Sequence, residues 1–472
     1  VREMSRRDVR LASNHLVYAR ADWSCSSKVR HGSGLMVFIV LAGSFGLLEP
    51  LMFLRGLSLF TMSIFTILIA MRAALICRGV FCRPANVQCD TDPAWSSEDW
   101  PAYSVLVPLY KEAGSIPKLC MGLKGLDYPI DKLEVIFLLE EDDSETLEAL
   151  GAIDLPAHWP ILALPDGQPR TKPRALNVAL GVLTGEIATI YDAEDYPHPD
   201  QLKAAVRALR EGGPELACVQ APLKAYNGDA SWLAGQWALE YDTHFGLILP
   251  ALAKSARPIA LGGTSNHFRV SALREARGWD AWNVTEDADL GLRFARMGYR
   301  IGTIAPPTLE EAPETLSVWV PQRSRWIKGY MQSASVILRR PGQAIGQMGA
   351  GGFLASQVLL GGAILSAVLH GPFALFCILC LCVPGLTLSP ACLCLLMAGF
   401  FVNAMGALLA LGQKGVGRIW LVVSMPLYWP LQSLGAMRAL YELATDPHIW
   451  SKTPHALTQS DLTHAGAGAY MI

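Results

Sequence analysis

Charge is scarce in this sequence and nowhere gathered. Only 17% of the 472 residues are Asp, Glu, Lys or Arg, and 39 basic against 41 acidic side chains leave a formal net charge of −2. Lys and Arg are spread along the chain, so the electrostatic footprint of a nucleic-acid binder is missing and no DNA or RNA partner is expected. A cysteine framework is missing too. Of the eleven cysteines, Cys377, Cys380, Cys382, Cys392 and Cys394 sit inside apolar runs without His or acidic company, as inert thiols do. Cys25, Cys77, Cys82, Cys89, Cys120 and Cys218 show no pairing pattern, which argues against a disulfide scaffold and suits a reducing, cytosolic face. No small-residue cleavage site follows the first long apolar run, so that run reads as an anchor and not as a removable signal peptide. What the chain has instead is apolar side chains, 51% of the total, and a mean hydropathy of +0.29. That is too apolar for an ordinary soluble enzyme and too polar for a protein embedded throughout, so a mixed architecture follows.

Leu35–Leu54 and Leu57–Cys77 each reach the roughly 20 residues that cross a hydrocarbon core, and residues 35–78 are read as two transmembrane helices. Arg2, Arg6, Arg7, Arg10, Arg20, Lys28 and Arg30 precede them in the basic segment 1–34. Arg78 and Arg83 follow, and only Arg55 lies between. The asymmetry places both flanks in the cytoplasm. Glu49 and Arg72 fall near span ends, where snorkelling to the interface accounts for them. Residues 85–335 change character and form a soluble domain, in which "YSVLVPLY", "LEVIFLLEE" and "EIATIYDAED" alternate with helical stretches such as "LKAAVRALREG". Short apolar runs ending in acids are the mark of buried parallel strands in an α/β sheet. Beyond an interfacial segment, 336–352, four apolar runs fill 353–436: Phe353–His370, Phe373–Val383, Ala391–Leu411 and Ile419–Leu434. Four crossings would put Lys414 and Arg418 on the outer side, against the charge rule, unless one run is re-entrant or interfacial. The tail 437–472 is expected to be cytoplasmic, with only a short Gly/Ala-containing stretch after Trp450 and so no fused regulatory module.

The segment Asn283–Arg300, "NVTEDADLGLRFARMGYR", carries an apolar stripe of Leu290, Leu292, Phe294 and Met297 at helical spacing. Taken alone, Thr285 reads as its N-cap, and Glu286, Asp287 and Asp289 as acids favoured by the helix dipole. The rest of the chain supplies a second reading. Ligands of open α/β sheets bind beyond the carboxyl ends of strands, and there this sequence places "VPLYKE" (107–112), "LLEEDDSET" (138–146) and "YDAEDYPHPD" (191–200), with "GQPRTKPRALN" (167–177) between. Two close carboxylates at a strand end hold one hard divalent ion and leave coordination sites for phosphate oxygens. A nucleoside diphosphate fits such an ion.

VPLYKE, the acid pair of LLEEDDSET, KPRALN, YDAED, GGTSNHF, TED and the triplet Gln322-x-x-Arg325-Trp326, in this order, resemble the processive family 2 glycosyltransferases, whose best-known members are cellulose, chitin and hyaluronan synthases. The resemblance covers about residues 100–335, and the flanking spans agree in arrangement. It implies an α/β GT-A, Rossmann-like catalytic domain inserted between transmembrane helices of the inner (plasma) membrane. It also implies a UDP-sugar donor, Mg²⁺ or Mn²⁺, and a glycan or lipid-linked acceptor. Membrane lipid and export proteins are the further partners expected. Carried over residue by residue, Glu112 and one of Asp142 or Asp143 border the nucleoside, while Lys172, Gln322 and Arg325 attend the diphosphate. Asp192 is a metal ligand together with Glu194 or Asp195, since the family often has a second Asp where this chain has Glu194. Gly262, Gly263, Thr264 and Ser265 resemble the acceptor loop, and Trp326 offers a face for a sugar ring. "WSKTPHA" (450–456) resembles loops that close over nucleotide in some relatives.

The same resemblance makes Asp287, beside Glu286, the general base. The chemistry agrees, because direct displacement of the nucleotide needs one carboxylate to take the acceptor proton and a cation to stabilise the departing diphosphate. A retaining glycosidase needs a nucleophile and an acid/base pair instead. Three functions follow for the whole chain: extension and export of a β-linked polysaccharide, transfer of one sugar to a lipid carrier, and a membrane scaffold with an inactive domain. The intact acids argue against the last.

Overall fold

The protein is described by a computed structural model over residues 22–26, 49–82, 97–412 and 417–448. Most of the first expected span and the "WSKTPHA" stretch lie outside the described residues. The strands are β1 (Tyr103–Leu109), β2 (Leu133–Glu140), β3 (Ile161–Leu164), β4 (Ile187–Ile190), β5 (Tyr196–Pro197), β6 (Leu216–Gln220), β7 (Leu223–Ala225), β8 (Asn266–Arg269), β9 (Arg300–Thr303) and β10 (Thr308–Glu310). The helices that position the site are α1 (Pro50–Val80), α2 (Lys172–Leu180), α3 (Trp232–Thr243), α4 (Glu286–Arg296), α5 (Leu316–Leu338), α6 (Pro341–Cys382), α7 (Pro390–Leu411), α8 (Ile419–Tyr428) and α9 (Leu431–Thr445).

Seven strands form a mixed sheet in the order β3-β2-β1-β4-β8-β6-β9. Tyr103 stands opposite Leu133 on one side and Ile187 on the other, both in parallel register. The antiparallel β8 is wedged between β4 and β6. The apolar runs lack alternation because the sheet is covered on both faces. Tyr103, Val105 and Val107 pack with Ile116, Leu119, Leu202 and Val206 on one side, and Leu106 packs with Ile136, Leu176, Phe268 and Phe294 on the other. Strand order reverses between β1 and β4, which opens a crevice at their carboxyl ends. VPLYKE and YDAED leave the sheet at that point. A smaller sheet, β5-β10-β7, folds over the same end and sets Leu309 opposite Tyr196, so that Glu310 follows close to the YDAED turn.

Among the described residues three helices are long and apolar enough to cross a membrane: Ser58–Val80, α6 and α7. Their arrangement departs from the expected spans in two places. The break expected at Arg55 is absent, since α1 begins at Pro50 and runs through Arg55 and Gly56; proline suits a first helical turn, and one interior glycine is tolerated. Phe353–His370 and Phe373–Val383 are not two spans but one stretch of α6, continuous through Pro372 after a break at Gly349 (φ 72°). Pro372 has no N–H, yet the helix survives because Ser433 of α9 enters the ladder. Its hydroxyl accepts from the Gly371 amide at 2.7 Å and donates to the Ala367 carbonyl at 2.5 Å, as a side chain must where proline frees backbone groups.

Just before α8, the Arg418 guanidinium pairs with Asp229 of the sheet domain at 2.6 Å. At the other corner α1 meets the domain backbone directly: a Cβ on Gly79 would stand 2.3 Å from the Leu247 carbonyl oxygen.

Phe294 fixes α4 to the sheet, fully buried against Phe268 at 6.1 Å and Tyr299 at 5.9 Å between ring centroids. Phe294→Ala should destabilise the domain by about 3–5 kcal/mol, seen as a lowered melting temperature of detergent-purified protein; an unchanged melting temperature would show that α4 is held from elsewhere.

Candidate active site

The crevice at the β1/β4 switch opens into one cavity of about 1520 Å³ that continues between α1, α6 and α7. At its sheet end, Lys172 at the start of α2 makes an ion pair with Asp192 and donates to the Gly263 carbonyl at 2.9 Å. Burial pulls the Lys172 pKa down, but Asp192, Glu286 and Asp287 outweigh it and the net shift is upward. Asp192 and Glu194 both line the cavity. Asp195 does not: it is 1% exposed, accepts from the Asp192 amide at 2.6 Å and is hydrogen-bonded by Thr264. It clamps the turn that presents Asp192 and Glu194. Glu310 completes the acidic group from β10. Burial, with the neighbouring acids, pushes both Asp195 and Glu310 well above the usual carboxylate range.

The donor set fits a hard divalent cation. Asp192, Glu194, Asp195 and Glu310 lie close enough to act on one another's charge, and the buried Asp195 Oδ1 and Glu310 Oε1 lack hydrogen-bond donors. Among the described residues no three His, Cys, Asp or Glu side chains form a ready-made cage. Oxygen donors in this number suit a magnesium-type site, in which phosphate and water supply the remaining ligands.

Across the cavity, Glu286 and Asp287 open α4 behind Thr285. Thr285 occupies the N-cap position without capping. Its amide and hydroxyl both turn to Asn283 Oδ1, at 2.9 and 3.4 Å, which corrects the side-chain cap expected from sequence. Asp287 is half-buried, accepts from the Ala288 amide at 2.8 Å and lies beside the Gly263 backbone, where a Cβ would approach its Oδ2 to 3.5 Å. Asp289 points away and pairs with Arg293 at 2.7 Å in the core. Burial first, and then Asp287, pushes Glu286 to about 8. Burial also raises Asp287, opposed by the Ala288 amide, Lys172 and Arg325.

The wall is completed by α5. Gln322, Arg325 and Trp326 line the cavity, one helical turn apart on one face. The helix is locked to α4 at Gly329, where a Cβ would stand 2.0 Å from the Thr285 hydroxyl. Trp326 lies in an aromatic stack with Tyr241, 6.1 Å away, which stacks in turn on Trp237 at 3.5 Å. Arg323 covers the Trp326 ring at 4.6 Å and binds Glu240 at 2.7 and 2.6 Å.

Residues 187–411 match the family model described as glycosyl transferase family group 2. The chain carries a family 2 glycosyltransferase domain. It is 25% identical over 242 residues to the probable glycosyltransferase YdaM of Bacillus subtilis, covering 50% of this chain and 57% of that one. To glucomannan 4-beta-mannosyltransferase 1 of Oryza sativa it is 26% identical, covering 59% and 57%. To the cellulose synthase catalytic subunit of Pseudomonas fluorescens it is 28% identical, covering 51% and 33%. The chain thus matches between a third and somewhat over half the length of these relatives. The mannosyltransferase PcManGT from Pyrobaculum calidifontis, solved with GDP-Man and Mn²⁺, superposes with a TM-score of 0.51 at 23% identity, over 81% of this chain and 99% of that one. The expected GT-A architecture, with its mixed sheet, is the fold of this transferase domain.

Not every carried-over residue of the transferase domain faces the cavity. Glu112, Lys172, Asp192, Glu194, Gly263, Thr264, Glu286, Asp287, Gln322, Arg325 and Trp326 do. Asp143 is buried as the N-cap of helix Ser144–Gly151 and accepts from the Lys111 amide at 2.5 Å, so it shapes the VPLYKE turn from behind. Asp142 is tied to Arg170 at 2.8 Å, and it is Arg170 that lines the cavity. Ser265, expected in the acceptor loop, takes a left-handed backbone (φ 58°) that turns its hydroxyl into the core against Thr308 at 2.6 Å. The Thr264 hydroxyl is likewise engaged within the protein, with Asp195 and the Ile190 carbonyl.

Sequence reasoning missed Glu310, Arg170, Tyr241 and the Arg323–Glu240 pair. Glu310 ends a short apolar run, as Asp192 does, and the strand-end criterion already in use would have found it. The aromatic stack has no local signal, since α3 is apolar on several faces.

Because a base must be ionised to act, transfer should fall as pH drops through the raised Asp287 pKa, above the usual aspartate value. A pH–rate profile that stays flat down through the ordinary carboxylate range would remove Asp287 from the proton transfer.

Proposed function

We propose that the protein is a membrane-set, inverting glycosyltransferase that moves a sugar from a UDP-sugar to the hydroxyl of a glycan acceptor and extends it processively. The observation that carries this reading is that Asp287, the Asp192–Glu194 pair, Lys172 and the Gln322–Arg325–Trp326 face all line a single cavity. In that cavity Asp287 accepts the proton of the attacking hydroxyl. Lys172 and Arg325 hold diphosphate oxygens, with the planar fork of Arg325 suited to two at once. The Trp326 face packs the acceptor sugar ring. Glu286, protonated near neutral pH, spares Asp287 a second negative charge at its side. Asp192 and Glu194 are the proposed ligands of Mg²⁺ or Mn²⁺, which when bound supplies positive charge to the leaving diphosphate. Inversion is the outcome of direct displacement with Asp287 as the base and no covalent sugar–enzyme intermediate. Residues 35–54, α1, α6 and α7 are proposed to cross the inner membrane with the sheet domain cytoplasmic, an arrangement supported by Arg418 pairing with Asp229. Export partners belong to the same proposal.

Asp287→Asn should retain nucleotide affinity and lower turnover by a factor on the order of 10²–10⁴, measured as nucleotide release from purified protein supplied with UDP- and, for comparison, GDP-sugars. Near-normal turnover would return Asp287 to a role at the helix terminus alone, and product length on a gel separates extension from single transfer.

Exhaustive EDTA treatment should abolish turnover, and Mg²⁺ or Mn²⁺ should restore it, because oxygen-only ligands favour these ions over thiol-seeking ones. Undiminished activity in EDTA would take the metal out of the mechanism.

A further inference from the structure

Arg72 was expected to snorkel to an interface, and it does not. It lies in α1, eight residues before the end that abuts the sheet domain, and its side chain lines the cavity. Among the described residues it makes no hydrogen bond or ion pair, and its Nε is screened from solvent without a partner. The groups whose charge reaches it are Glu240 and His244. Glu240 is already engaged, accepting two hydrogen bonds from Arg323 and one from the Tyr428 hydroxyl at 3.0 Å. His244 is held neutral, since burial and then Arg72 push its pKa down to about 4. Two guanidinium groups therefore face one carboxylate, and Arg72, half-buried at the cavity wall, has no carboxylate of its own. A guanidinium on a largely apolar wall without an acidic partner favours an anionic ligand. In a helix at membrane depth such a residue marks a site.

The surroundings say what kind of anion fits. Away from the sheet domain the cavity wall is apolar, formed by Phe65, Leu68 and Ile69 of α1, Leu359 and Phe373 of α6 and Leu396 of α7. Toward the domain lie Tyr241, Trp326 and Asp287. Arg72 stands where apolar wall gives way to polar, the position of the head of an amphiphile. We propose that the cavity binds a phosphate-bearing lipid, with its phosphate on Arg72 and its hydrocarbon chain along the wall between α1, α6 and α7. The guanidinium fork matches phosphate oxygens in pairs, and a phosphate there would give Arg72 the anionic partner that the protein does not. The proposal rests on the reading of this cavity as the acceptor side of a membrane-set transferase. Its ligand is either the carrier of the acceptor or a phospholipid of the bilayer, which share this chemistry.

The test uses the full chain in neutral-detergent micelles, with quenching of intrinsic tryptophan fluorescence as readout, since Trp237, Trp326 and Trp429 line the same cavity. Probes are farnesyl phosphate, farnesol, dioleoyl-phosphatidylglycerol and inorganic phosphate. A phosphate-bearing lipid should bind at least about tenfold tighter than farnesol, the worth of a charge-assisted hydrogen bond. Arg72→Gln should remove that preference, and Arg72→Lys should recover part of it. A labelled sugar transferred to farnesyl phosphate identifies the lipid as acceptor or its carrier. Saturable binding of phosphatidylglycerol with no transfer to either lipid identifies a bilayer phospholipid. Equal affinity for farnesol and farnesyl phosphate, equal binding by wild type and Arg72→Gln, or free phosphate binding as tightly as the lipids would each overturn the proposal. UDP affinity is measured alongside. Its absence from the wild type refutes the transferase reading separately, and its retention in Arg72→Gln shows that a lost lipid preference is not a lost fold.

Discussion

Lys172 stands between the Asp192 carboxylate and the Gly263 carbonyl, and the arrangement around it follows from that placement. It lies among Asp192, Glu194, Asp195 and Glu310, with Glu286 and Asp287 close enough to raise its own pKa. Like charges confined in a half-dry crevice repel more strongly than in water, so the fold must either protonate them or neutralise them. The buried Asp195, Glu286 and Glu310 are pushed toward their neutral forms, while Asp192 is paired with the lysine. The lysine also joins the two sides of the chemistry, because the carbonyl it holds belongs to the loop lying against Asp287.

That economy explains the division of labour among neighbouring acids. Asp192 and Glu194 point outward because Asp195 points inward, and the turn is stiff because Asp195 accepts from its own backbone and from Thr264. Asp143 does for the VPLYKE turn what Asp195 does for YDAED. In both places the second acid of a run is a piece of scaffolding, and the residue that meets the cavity stands beside it or across from it. The aromatic stack under Trp326 is built the same way. Arg323 is neutralised by Glu240 and lies over the indole, so the ring that faces the cavity is held in place.

The sheet was readable because its strands are buried on both faces and end in acids, two features that survive in a one-dimensional string. Asp192, Glu194 and Asp287 were readable for the same reason, being fixed by the ends of β4 and α4. What could not be read depends on where a side chain turns once the chain is folded. The sequence around Ser265 carries no sign of its left-handed backbone, and without that sign its hydroxyl looks available. Arg72 sits in an apolar run near a helix end and is indistinguishable there from a snorkelling residue; only the approach of α3 and the emptiness of its hydrogen-bonding shell set it apart. Pro372 looks like the end of a span until Ser433, sixty-one residues later, is seen inside the ladder.

The close fit of Gly329 against Thr285 also constrains how the gene for such a chain can change length. A residue inserted in an α-helix rotates everything beyond it by about 100°. Between Trp326 and Gly329 one insertion would keep either the glycine against Thr285 or the indole toward the cavity, but not both. Substitution there is limited by the packing of Ile327 and by the ion pair of the buried Lys328 with Glu442, whereas insertion or deletion breaks the alignment of the indole with Thr285 at a stroke. The step from Trp326 to Gly329 is therefore fixed in count.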